Sequence, residues 1–324
     1  MDSPPAARYR RTLAALLVAA APLLAAGCGS AHYLVGPVRP MATDLPPGAI
    51  TQHVVLVSID GLRPDAIAAF GAPTLQALTR EGRYTLRAST ILPSKTLPSH
   101  TSMLTGEPPE RHGVLWNTVL SADRDQIEQP NVFSVAHARG YRTAAFFSKA
   151  KFHPLQRPGT LDFSQSPGGW FGRWGSDRTV SDVETFLLTE RPNLLFVHLA
   201  DPDRAGHASG WMSPDYGRAV SQSDAAIERL MSAAESAFGA GNFTVIVTAD
   251  HGGHEFDHGS DDPRDVTIPW IVWGQGVRTG GLLGSEVRTM DTASTVLWLL
   301  GLDEPSDWTG TPVTAAFAAA PGAS

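Results

Sequence analysis

Apolar residues in this chain come in short dense blocks separated by amphipathic stretches. Val54 to Ile59, Leu194 to Leu199 and Phe243 to Thr248 are nearly all apolar and rich in β-branched residues, the pattern of strands covered on both faces. Ile268 to Trp273 is a fourth such block, and Thr143 to Phe147 a sparser fifth. Between the blocks the period changes. Asp177 to Glu190 sets Val180, Val183, Phe186 and Leu187 on one stripe, and Pro214 to Phe238 repeats Tyr216, Val220, Ile227, Leu230, Met231 and Ala234 at helical spacing. Strands alternating with helices predict an α/β fold, a doubly wound α/β/α sandwich with a mostly parallel central sheet.

The N-terminus departs from this rhythm. Arg8, Arg10 and Arg11 precede an uncharged apolar run from Leu13 to Ala26, too short to span a bilayer comfortably, which reads as an export signal. The run ends at Leu24-Ala25-Ala26-Gly27-Cys28, which resembles a bacterial lipoprotein cleavage site with Cys28 as the lipidated residue. Residues 29–50 are rich in Gly, Pro and Ala and read as a flexible linker. The expected organisation is a signal peptide over 1–28, that linker, and one catalytic domain over 51–324, exported to the bacterial cell envelope and lipid-anchored there. Cys28 is the only cysteine, so the domain contains no disulfide.

Composition adds one exclusion. The formal net charge of -7 lacks the basic excess of a nucleic-acid binder. Part of the acidity has a specific location, because three of the densest strand blocks run directly into metal-ligand residue types. The first ends in Asp60-Gly61, the second in Asp201-Pro202-Asp203 with His207 beyond, and the third in Asp250-His251 with His254 and His258 beyond. Ligands of open α/β sheets bind past the carboxyl ends of the strands. Asp60, Asp203 and Asp250 cannot all ionise in one partly desolvated cleft without counter-charge. Two divalent cations would supply it, and mixed carboxylate and imidazole ligation suits zinc.

A second motif runs from Pro93 to Ser102. Pro98 and the residues after it read as a loop entering a helix, which puts Thr96 beside a helix N-terminus whose free N–H groups favour an anion. A hydroxyl there is placed to attack phosphorus. Downstream, Asn117 offers a neutral donor to a phosphate oxygen.

Taken together these pieces resemble the type I phosphodiesterase/nucleotide pyrophosphatase branch of the alkaline phosphatase superfamily. The resemblance is carried by SIDG, SKTLPSHTSMLTG, HGVLWN, DPDRAGH, TADHGG and HGSDD followed by TIPWIVWG, in that order, from 54 to about 275. It implies one metal held by Asp203, His207 and His258, and a second held by Asp60, Asp250 and His251 with Thr96 as nucleophile at that metal. Asn117 would orient the phosphoryl group. The implied reaction is hydrolysis of phosphodiester or pyrophosphate bonds, possibly on nucleotides, by double displacement through a threonyl-phosphoryl intermediate. The partner is thus a small phosphate ester.

Two features bear on the substrate. Leu97 stands where many nucleotide-cleaving members of that family carry a phenylalanine that stacks on a base. No arginine lies in the Thr96 motif, although phosphatases of the superfamily use one to grip a monoester dianion, which tilts the reading toward diesters. A phosphomonoesterase with the same site, and a non-catalytic metal-binding envelope lipoprotein, are the alternatives. The sequence has neither the nucleophile motif of sulfatases nor a Gly-x-Ser-x-Gly elbow. Of the remaining polar residues, His100 and His112 are expected to make structural hydrogen bonds, His137 to sit on a helix, and His198 to be a satisfied buried histidine. His254 competes with His258 as a ligand, Lys95 is either substrate-attracting or solvated, and the loop 167–175 is either a substrate lip or an insertion packed on the domain.

Overall fold

A computed structural model describes residues 31–36, 42–118, 127–169 and 172–318. The export signal and Cys28 lie outside them, as do Trp170 and Phe171 of the aromatic loop. The strands are β1 (Ala31–Val35), β2 (Val54–Ile59), β3 (Arg83–Ser89), β4 (Thr143–Phe146), β5 (Phe163–Pro167), β6 (Leu194–Leu199), β7 (Thr244–Thr248) and β8 (Thr267–Gly274). They form one sheet in the order β1-β5-β4-β6-β2-β7-β8-β3. The five strands from β5 to β7 are mutually parallel, and the outer pairings β1–β5, β7–β8 and β8–β3 are antiparallel. The mostly parallel α/β fold read from the sequence is therefore present.

Every residue of β2, β4, β6 and β7 is buried, as strands covered on both faces must be. Helices Ser176–Leu187, Asp201–Ser209 and Pro73–Glu81 pack on the long helix Pro214–Phe238. A second group, in which helix Thr96–Thr105 packs on Val132–Ala138 and Asp291–Leu299, forms the other layer. Among the described residues no helix is long and apolar enough to cross a membrane.

Ala31–Val35 lies within the stretch 29–50 read as a linker. It pairs antiparallel with β5, and Gly36 N–H continues the contact to Asp162 O at 2.7 Å. Further along, Asn193 binds the backbone of Ala42 through both ends of its amide. A Gly- and Pro-rich composition does not prevent backbone pairing on a sheet edge, where ladder bonds are needed on one side only.

Register positions the site. Val54 of β2 pairs with Leu194 on one side and Thr244 on the other. Carrying those registers past the strand ends brings Asp60 level with Asp250, while Asp203 follows β6. Two backbone bonds and one to a carboxylate lock the three together: Asp60 N–H donates to Leu199 O at 2.9 Å, Asp203 N–H to Asp60 O at 3.0 Å, and Gly61 N–H to Asp250 Oδ1 at 3.1 Å. Gly61 adopts φ +72, and a Cβ there would lie 2.9 Å from Asp203 Cα, so only glycine fits between the Asp60 and Asp203 segments.

Candidate active site

All six residues expected as metal ligands meet at the carboxyl edge of the sheet, in two clusters. In the first, Nε2 of His207 lies 3.3 Å and Nε2 of His258 lies 3.5 Å from Asp203 Oδ1. In the second, Nε2 of His251 faces Asp250 Oδ2 at 3.2 Å, Thr96 Oγ1 at 3.4 Å and Asp60 Oδ1 at 3.5 Å. Asp203 also lies within ligand range of Asp60 and His251, so the clusters adjoin.

The imidazoles are poised in a consistent way. Nδ1 of His207 donates to Phe256 O at 2.9 Å, that of His251 to Gly252 O at 2.8 Å, and that of His258 to Ser94 O at 2.8 Å. Each backbone carbonyl fixes the proton on Nδ1 and leaves the Nε2 lone pair facing the carboxylates, as a metal-binding histidine requires. Burial, reinforced by the neighbouring His258, lowers the His251 pKa to about 3, and burial also lowers that of His258. His207 is raised, chiefly by the Asp203 carboxylate beside its Nε2.

The carboxylates provide an independent test of whether a cation fits. Asp60 Oδ1, Asp203 Oδ1 and Asp250 Oδ2 are buried without a hydrogen-bond partner, and these are the three oxygens that face the histidine Nε2 atoms. A buried carboxylate oxygen left bare is costly, and a coordinated cation removes the cost. The donor set fits divalent metal on both the chemistry and the orphaned atoms.

The sequence reading missed Lys149. Its Nζ donates to Asp60 Oδ2 and Asp203 Oδ2, each at 2.5 Å, and the residue is 3% exposed. Burial alone would lower the lysine pKa, but Asp203 and Asp60 outweigh it and hold the ammonium charged. Burial likewise pushes Asp60 up, yet Lys149 and the His198 hydrogen bond at 2.9 Å hold its carboxyl well below the usual range. Asp250 has no such partner. Burial and the charge of Asp60 raise it well above the usual range. The signal that could have found Lys149 was its place just after β4, at the same sheet edge as the ligands.

Thr96 is the first residue of helix Thr96–Thr105, one position further in than the expected place just before the helix. The first turn nevertheless offers an anion less than expected. Leu97 N–H is taken by Asn117 Oδ1 at 2.9 Å, Pro98 has no N–H, and Ser99 N–H goes to Lys95 O at 2.9 Å. Among the described residues, that leaves Thr96 N–H without an acceptor. Asn117 thus binds the helix through its oxygen, which leaves its Nδ2 uncommitted to the helix. Leu97 is wholly buried in the core and presents no face to a base.

The other histidines take structural places. His100 donates from Nδ1 to Thr96 O at 2.7 Å and meets Ser58 Oγ at 2.8 Å through Nε2. His112 lies 2.9 Å from Ser102 Oγ and accepts from Val114 N–H at 3.1 Å. His198 is buried in β6 with Asp60 as partner, and His137 lies on helix Val132–Ala138. His254 turns to Asp265 Oδ1 at 2.7 Å, which leaves His258 in the ligand position. Lys95 packs its stem beside Gly259. The described part of the 167–175 loop packs on the domain: Gly172 O accepts from Ala150 N–H at 3.0 Å and Trp174 N–H donates to Ser148 O at 2.9 Å, bracketing Lys149.

Comparison with known proteins shows what the chain is similar to. Residues 54–266 match the family Type I phosphodiesterase / nucleotide pyrophosphatase. The chain is 26% identical over 64% of its length to the bis(5'-adenosyl)-triphosphatase enpp4 of Xenopus laevis, covering 48% of that protein. It is 22% identical over 86% of its length to the GPI ethanolamine phosphate transferase 1 of Candida glabrata, covering 35% of it. The chain therefore spans less than half of these curated relatives. Murine ectonucleotide pyrophosphatase / phosphodiesterase 5, solved as an inactive variant in complex with AMP, superposes with a TM-score of 0.69 at 16% identity, over 82% of this chain and all of that one, and so shares the fold.

Proposed function

We propose that this chain, which belongs to the type I phosphodiesterase / nucleotide pyrophosphatase family, is a metal-dependent hydrolase of phosphodiester or pyrophosphate bonds with Thr96 as its nucleophile. The observation that carries the reading is the convergence of Thr96 Oγ1, Asp60 Oδ1 and Asp250 Oδ2 on Nε2 of His251, at 3.2–3.5 Å. Asp60, Asp250 and His251 would hold one divalent cation, and Asp203, His207 and His258 a second, with zinc suited to both sets. Bound there, the cations supply positive charge at the phosphoryl oxygens and lower the pKa of the attacking hydroxyl.

The protein's own groups do the rest. Thr96 N–H and Asn117 Nδ2 donate to the non-bridging oxygens, while Leu97 N–H holds Asn117 in place. His100, bonded to Thr96 O, fixes the turn that aims the hydroxyl. Thr96 Oγ1 then attacks phosphorus as the ester oxygen departs with its electron pair. Water later cleaves the threonyl phosphate and restores the hydroxyl. Nucleotides are one substrate class in keeping with the AMP-bound neighbour, with base recognition left to residues other than Leu97.

Replacing Thr96 by alanine is expected to lower hydrolysis of bis-p-nitrophenyl phosphate by at least about a thousandfold while metal content is retained. An unchanged rate would overturn the assignment. Export and lipid attachment at Cys28 complete the proposal. A Cys28→Ala chain expressed in a bacterium should leave the membrane fraction, and persistence there would exclude that anchor.

A further inference from the structure

Lys151 stands two residues beyond Lys149, on the turn Ala150–Leu155. Its ammonium is partly buried, yet its one hydrogen bond among the described residues goes to a neutral acceptor, Asn117 Oδ1, at 3.2 Å. Lys149 is fully engaged by Asp60 and Asp203, whereas among the described residues no carboxylate pairs with Lys151. Burial, reinforced by the charge of Lys149, lowers its pKa to about 8. A cation drawn out of water without a partner is unfavourable until an anion joins it.

Its position says which anion. Asn117 Oδ1 accepts from both Leu97 N–H and Lys151, so Lys151 sits beside the residue that follows Thr96. With the first turn of the Thr96 helix left only one free N–H group, a substrate oxygen here must find other donors. Asn117 Nδ2 and Lys151 Nζ are the two at hand.

We propose that Lys151 Nζ and Asn117 Nδ2 receive the non-bridging oxygens of the transferred phosphoryl group, and that this cation gives the site a second activity, hydrolysis of phosphate monoesters. The proposal rests on Thr96 being the nucleophile. A monoester phosphoryl carries one more negative charge than a diester phosphoryl, so a cation at its oxygens favours the monoester disproportionately. The step balances as before: the Thr96 Oγ–P bond forms, the ester P–O bond breaks, the alcohol leaves with a proton, and water releases inorganic phosphate. Lysine here takes the place of the arginine missing from the Thr96 motif.

The test uses the metal-replete full chain and compares kcat/KM on p-nitrophenyl phosphate with kcat/KM on bis-p-nitrophenyl phosphate. In Lys151→Met the monoester-to-diester ratio should fall by roughly 10- to 100-fold, the size of one lost charge-assisted hydrogen bond. Lys151→Arg should recover part of it. Equal losses on both substrates would mark Lys151 as merely structural and overturn the proposal, as would an unchanged ratio or a wild-type enzyme that cleaves the diester alone. A wild type that cleaves neither substrate would instead overturn the reading of Thr96 on which the proposal stands.

Discussion

Lys149→Met removes the ammonium that, among the described residues, contacts Asp60 and Asp203, while keeping a side chain of similar length. The ammonium lies 2.5 Å from both Asp60 Oδ2 and Asp203 Oδ2 and is 3% exposed. At an effective dielectric of about 20 each contact is a gross attraction of roughly 7 kcal/mol, most of it offset by desolvation. Breaking a buried pair of this kind costs about 3–5 kcal/mol, because the carboxylates remain buried without their partner. For a domain of this size that corresponds to a fall in Tm on the order of 10 °C. The assay is thermal unfolding of chelator-treated wild type and variant at pH 8 and pH 5, each with and without added zinc. In the variant, burial is no longer opposed by Lys149, so Asp60 and Asp203 bind protons more tightly folded than unfolded. Stability of the variant therefore falls as pH rises, and its deficit should be larger at pH 8 than at pH 5. Zinc should close most of the gap by restoring positive charge to the same oxygens. A deficit of less than about 2 °C, or one indifferent to both pH and zinc, would refute the electrostatic account of this residue.

Gly61→Ala places a Cβ 2.9 Å from Asp203 Cα at φ +72, so zinc affinity measured by calorimetry should drop at least about tenfold, and wild-type affinity would contradict the packing argument. His112, lowered to about 4 by burial, accepts from Val114 N–H at the nitrogen it would have to protonate. The unfolded chain thus takes up a proton between pH 6.5 and 4 that the folded chain refuses, so stability is present above that window and is lost as pH falls through it. His112→Gln should flatten the pH dependence of urea unfolding by up to about 1.4 kcal/mol per pH unit, whereas an unaltered slope would remove His112 as a contributor.

The central sheet and the convergence of the candidate ligands were legible because both leave dense signals. Strands buried on two faces are mostly apolar, and β2, β6 and β7 are each followed within two residues by an aspartate. The edges were not legible. In β3 (Arg83–Ser89) polar and apolar residues alternate, and β5 (Phe163–Pro167) carries Ser164, Gln165 and Ser166, so neither resembles a buried strand. Helix Asp291–Leu299 was missed because it is buried nearly all round and shows no polar stripe. Lys149 and Lys151 escaped for a different reason. A lysine is ordinarily solvated, and only tertiary structure reveals that the turn after β4 carries one into the carboxylate cluster. The free first turn expected at Thr96 failed because Asn117, some twenty residues on, supplies the acceptor for Leu97 N–H.

Metal content bears most directly on the paired clusters around Asp203 and His251. Chain purified without chelators, or reconstituted with zinc and desalted, should hold two equivalents of divalent ion by inductively coupled plasma mass spectrometry. His251→Ala and His207→Ala should each lose one. Folded wild-type protein that retains no stoichiometric metal after reconstitution would contradict the account.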